Sequence, residues 1–97
     1  MSNELQRKDA ELFRRIEEVV HYIWDPIGIR EHPGARDEYS GYLTAIYENV
    51  KSEDLESLVE YMKWVVGNMG LNFNREDAYK AARVMLKWKG HIDDLHL

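Results

Sequence analysis

The chain predicts an all-α fold, a compact bundle of four helices with a structured loop between the first and second. Three observations predict it. Apolar residues recur three and four apart through four separate segments, the period of a one-sided helix. The segments are divided by short stretches rich in capping residues, glycine and proline. No stretch alternates apolar and polar residues with the period of two that a half-buried strand needs.

The first helix is expected over about residues 4–23. Leu5, Leu12, Phe13, Ile16, Val19, Val20 and Ile23 form its stripe, with Arg14, Arg15, Glu17 and Glu18 opposite. Trp24 extends the stripe. Asp25-Pro26 stops it, because proline disfavours helical geometry in the residue before it. Glu17 and His21 are four apart and read as a hydrogen-bonded surface pair.

The second helix is expected over about residues 36–50, with Tyr39, Tyr42, Leu43, Ile46, Tyr47 and Val50 as its stripe. Asp37 and Glu38 fall in its first turn and Lys51 at its end, each favoured by the helix dipole. The third begins at Ser52 as N-cap and carries Leu55, Leu58, Val59, Met62, Val65, Val66 and Met69. Gly70 is its expected left-handed terminator. Gly41 and Gly67, inside their helices, are read as marks of close packing. The fourth begins at Asn74, with Asp77 three residues on as in a capping box. Ala78, Ala81, Ala82, Met85 and Leu86 line it, and Gly90 is expected to end it. The tail, 91–97, is expected to be loosely held, with Ile92, Leu95 and Leu97 able to fold back.

Residues 1–97 form a single domain. A chain of this size buries roughly 60–65% of its unfolded surface, enough for one modest core. The short connections near residues 51–52 and 70–74 predict antiparallel neighbours. Hydrophobic residues make up 44% of the chain and charged residues 32%, a globular balance. There is no cysteine, which removes disulfide and thiolate chemistry. The start of the chain has no apolar signal core and no run reaches the length of a membrane span, so a cytoplasmic location and no membrane partner are expected. A net charge of −5 argues against nucleic acid as the main partner and suits a basic protein.

The densest chemistry lies between Trp24 and Tyr39. Asp25, His32, Asp37 and Glu38 would bind a divalent ion or act as acid and base if the loop gathered them. The same residues also read as structural: Asp25 caps the Pro26 turn, Gly28 supplies a positive φ, and the acids favour the dipole or pair with Arg30 and Arg36. His91 and His96 flank Asp93 and Asp94, but a spacing of five does not share a helical face. Lys80, Arg83 and Lys87 form a basic row that reads as solvated. Six tyrosines, three tryptophans and two phenylalanines are many for so small a core. Tyr22, Tyr61, Trp64 and Tyr79 fall at stripe edges, where such side chains either anchor an interface or seal the core. There is no nucleophile elbow, phosphate loop or metal-ligand spacing, so no catalytic, cofactor-binding or metal residue is assigned.

Trp24-Asp25-Pro26-Ile27-Gly28, then Pro33, then Ala35-Arg36-Asp37-Glu38-Tyr39 with Tyr42 behind it, and finally Met69-Gly70-Leu71, resemble a family of short, uncharacterised bacterial proteins. These carry W-D-P-I-G, a proline, A-x-D-E-Y and M-G-L in that order. The resemblance covers residues 24–71. The family often has an aspartate after D-E-Y where this chain has Ser40-Gly41, so that acid's role does not carry over. The resemblance implies a bacterial source, a helical fold and a packed unit from Trp24 to Tyr39, with Trp24 and Tyr39 buried together.

The resulting functional expectation is a small non-enzymatic, cytoplasmic protein-interaction module without a cofactor. Its partner is another protein, as for an immunity or antitoxin-like protein, or a second copy. The alternative is a small-ligand or metal-binding protein, or an enzyme, using the acidic loop.

Overall fold

In this computed structural model, residues 3–25 and 39–95 are described, with side chains from residue 6 onward. The expected contacts of Leu5, the residues from Pro26 to Glu38, and the last two residues lie outside that set.

Helix α1 spans Asn3–Glu18 and continues without a break into a π-helical turn, Val19–Trp24. The first helix therefore ends where the Asp25-Pro26 pair predicts, but not in the predicted register. The Asp25 amide donates to the Val20 carbonyl five residues back, at 2.8 Å. This wider turn rotates the side chains that follow it relative to an α-helix. The expected placement of two residues is thereby reversed. Ile23, predicted for the stripe, is 41% exposed, while His21, predicted for the surface, is 1% exposed.

Helix α2 spans Ser40–Lys51 and buries Leu43, Ile46 and Val50. The predicted first turn before Tyr39 lies outside the described residues. Ser52 does not cap the third helix. It closes α2 instead, its amide bonding the Glu48 carbonyl and its hydroxyl donating to the Asn49 carbonyl at 2.7 Å. Glu53 then takes a left-handed φ of 58°. This turn moves the cap to Asp54, whose carboxylate accepts from the Ser57 amide at 3.1 Å.

Helix α3 spans Leu55–Asn68 and buries Leu58, Val59, Met62, Val65 and Val66. Gly70 ends it as expected, at φ 75°. Its amide bonds the Gly67 carbonyl and the Leu71 amide bonds the Val66 carbonyl, the paired pattern of a Schellman motif. Helix α4 spans Arg75–Asp93, with the Asn74 side chain accepting from the Asp77 amide at 3.0 Å. Gly90 does not stop it. Burial of Ile92 outweighs the roughly 1 kcal/mol that glycine costs a helix interior. Lys8 of α1 also donates to the Asp93 carbonyl at 2.9 Å, satisfying one orphan acceptor at the helix end.

Among the described residues there are four helices and no strand, an all-α four-helix bundle. The Lys51–Asp9 ion pair and the Phe13–Tyr47 ring contact run α1 and α2 antiparallel. Lys8 at Asp93 and Arg15 over Trp88 do the same for α1 and α4. The α3–α4 connection is not a tight hairpin. Phe73 sits beneath Lys63 in mid-α3, and Tyr79 reaches Glu56 in the first turn of α3. The segment after Gly70 thus runs back along α3 before α4 begins. Helix α4 then packs on α3, α1, the π turn and α2. The expected close packing at Gly41 and Gly67 is absent, since a Cβ at either would meet nothing within 4 Å. Among the described residues no helix is long and apolar enough to cross a membrane.

Candidate functional sites

Two places carry the chemistry singled out by the sequence. The first is the end of the π turn. The π turn buries Val19, Val20, His21 and Trp24 and leaves Tyr22 and Ile23 exposed. Trp24 and Tyr39 both enter the core. Asp25 is 6% exposed at a left-handed φ of 41°. The Tyr39 phenol, 2% exposed, donates to Asp25 Oδ1 at 2.8 Å. This bond ties the end of the first helix to the start of the second and supplies the partner a buried carboxylate requires. His32, Asp37 and Glu38 lie outside the described residues.

His21 belongs to this corner and was missed as a buried group. Its ring lies edge-on to Tyr22 at 4.5 Å and to Tyr39 at 6.5 Å. Neither ring nitrogen has a hydrogen-bond partner among the described residues, so the expected pair with Glu17 does not form. The apolar run around His21 does not by itself place it inside, since Tyr22 and Ile23 in the same run are exposed. Among the described residues no group of three or more histidines and acids could hold a metal ion.

The second place is the outer face of α3. Trp64 is 56% exposed. Its indole stacks on the Tyr61 ring at 5.6 Å and 22°, and the Tyr42 ring meets it edge-on at 6.3 Å. The Tyr42 hydroxyl accepts from Asn68 Nδ2 at 2.9 Å, which holds that ring in place. Burial, with a smaller contribution from Tyr42, raises the pKa of Tyr61. Glu60, Lys63, Trp64, Gly67 and Asn68 line an open cleft here.

The other two edge aromatics differ. Tyr22 is exposed on the π turn. Tyr79 is buried, its phenol donating to Glu56 Oε1 at 2.5 Å. The guanidinium groups of Arg75 and Arg83, four residues to either side, lie 4.8 Å and 5.3 Å from its ring centre. The Glu56 carboxylate, then burial, raises the pKa of Tyr79. Glu56, Arg75, Glu76, Tyr79 and Arg83 line one polar cleft. Lys80, Arg83 and Lys87 are exposed and make no ion pair among the described residues. His91 is exposed beside Trp88, and His96 lies outside the described residues.

Comparison with models of known protein families, with curated proteins and with solved structures returned no match.

Proposed function

We propose that the protein is a small non-enzymatic interaction module of the cytoplasm that docks another protein through the aromatic face of α3. One observation carries this reading: Trp64 stands more than half exposed while Tyr61 and Tyr42 hold its ring from two directions. A large aromatic already fixed in place gives up little side-chain freedom on binding, and such residues dominate interface energetics. A bacterial source, as the sequence resemblance implies, and an immunity or antitoxin-like role are the specific form of this reading. Tagged protein expressed in its native host, compared with Trp64→Ala, tests it. A protein enriched by the wild type and lost from the variant supports the reading; identical profiles overturn it.

A second reading, a small-ligand or metal site on the segment after Asp25, is favoured by the buried imidazole of His21 beside the Asp25–Tyr39 pair. A panel of divalent ions and small acids tests it. A melting-temperature rise that His32→Ala and Asp37→Ala abolish supports the site.

A further inference from the structure

We infer that the seam between α1 and α4 docks an acidic amphipathic helix of another protein. This surface is separate from the aromatic face of α3, so the inference goes beyond that reading and does not rest on it. An apolar floor flanked by cations carries it. Val84, Lys87, Trp88 and His91 line an open cleft of about 380 Å³ on the outer side of α4, and no acid lines it among the described residues. Trp88 also carries the Arg15 guanidinium of α1 over its ring, 4.6 Å from the centre. A second cleft, of about 570 Å³, lies further along the seam, where Arg7, Ala10, Glu11 and Arg14 of α1 meet Leu95. Its one acid is already engaged, since Glu11 accepts from Arg14 at 2.6 Å and from Arg15 at 2.8 Å.

Glu18 is likewise engaged, by Arg15 at 3.0 Å. The cations are not. Arg7, Lys80 and Lys87 are exposed and make no ion pair among the described residues. Helix α4 carries no acid between Asp77 and Asp93, Asp93 is bonded to Lys89, and Asp94 lines neither cleft. The seam is therefore a cationic strip on a chain of net charge −5. Such a strip attracts an acidic partner and also orients it, because the rest of the surface repels that partner. The floor selects the occupant's class. Val84, Trp88 and Leu95 are half-buried and offer apolar surface that a phosphate backbone would leave uncovered. Val84 and Leu95 stand about three turns apart. A partner helix laid along the seam thus sets apolar residues, spaced by three and four, on both clefts. Its flanking carboxylates then meet Lys87 from α4 and Arg7 from α1.

Fluorescence anisotropy with a labelled, capped peptide of about eighteen residues tests the inference: leucines three and four apart, glutamates flanking them and alanines elsewhere. The full chain is expected to bind it with a Kd of about 100 µM or tighter, and more weakly as salt rises from about 0.05 M to about 0.5 M. Arg7→Glu with Lys87→Glu should weaken binding roughly tenfold, and Trp88→Ala by a similar factor, while Trp64→Ala binds as the wild type does. Both charge positions are exposed, and unchanged circular dichroism verifies that the variants fold. The same peptide in shuffled order, or with lysine for glutamate, should bind at least roughly tenfold more weakly. No binding at about 1 mM overturns the inference, as does binding indifferent to the charge reversal or to the shuffling. Tighter binding to a thymidine oligonucleotide, or to vesicles containing phosphatidylglycerol, also overturns it by making the strip a general anion surface. Loss of peptide binding in Trp64→Ala would place the peptide on α3 and sink the seam as its site.

Discussion

The Tyr39 phenol and the Asp25 carboxylate meet at 2.8 Å inside the core, across fourteen residues of sequence. Removing the hydroxyl as Tyr39→Phe leaves one acceptor of a buried carboxylate without this donor, at a cost of about 1–3 kcal/mol. Urea denaturation should show that loss. Asp25→Ala combined with Tyr39→Phe should cost less than the sum of the single changes, since both remove the same bond. Full additivity would show that the bond carries no coupling.

His21 gives the opposite expectation. Its two nitrogens are buried without partners among the described residues. An apolar side chain of similar volume removes that desolvation cost, so His21→Leu should leave stability unchanged or raise it by up to about 1 kcal/mol. A loss larger than about 1 kcal/mol would show that the imidazole makes a required polar contact.

The glycines divide by geometry. A Cβ at Gly41 or Gly90 meets nothing within 4 Å, so alanine there should stabilise by about 0.5–1 kcal/mol each. In a domain this small, that is a melting-temperature rise of about 2–8 °C. Gly70 sits at φ 75°, a conformation that strains an alanine, so Gly70→Ala should destabilise by about 1 kcal/mol.

Acid should weaken the fold through three carboxylates. Asp9 is held below the usual range first by its hydrogen bond to Lys51, Glu11 first by Arg14, and Asp54 by the amide and hydroxyl of Ser57. A carboxylate whose folded pKa is depressed contributes stability above its unfolded value and loses it as pH falls through the folded one. Stability from these groups should therefore be flat from neutral pH to about 5 and fall below about 4.5. Asp54→Asn, which can still accept the Ser57 amide, should flatten part of that fall. Chemical denaturation at stepped pH measures it.

The helices were legible because burial on one side imposes a period, and the bundle follows from four such stripes. Asn74 and Gly70 were legible because caps and terminators act within one turn. The π turn was not, since one wider turn leaves the apolar run looking the same while exchanging His21 for Ile23. Nor was the cap at Asp54: Ser52 has equal propensity, and the left-handed turn at Glu53 decides between them. Helix α4 passes Gly90 because Ile92 finds a buried place, a long-range fact that local propensity does not contain. The burial of Trp24 and Tyr39 together was expected only through the family resemblance, and the bond from Tyr39 to Asp25 was not legible, since Asp25 read as a cap of the Pro26 turn. The exposure of Trp64 and the enclosure of Tyr79, both at stripe edges, depend on neighbours from other helices.

Helix α4 is the neighbour that α1, the π turn, α2 and α3 all share. During synthesis it leaves the ribosome after every one of them. Until then the faces that these elements turn toward α4 lack the surface that completes their enclosure. The nascent chain must therefore carry sticky, half-assembled intermediates until α4 emerges, and cells making it quickly should recruit holding chaperones to it.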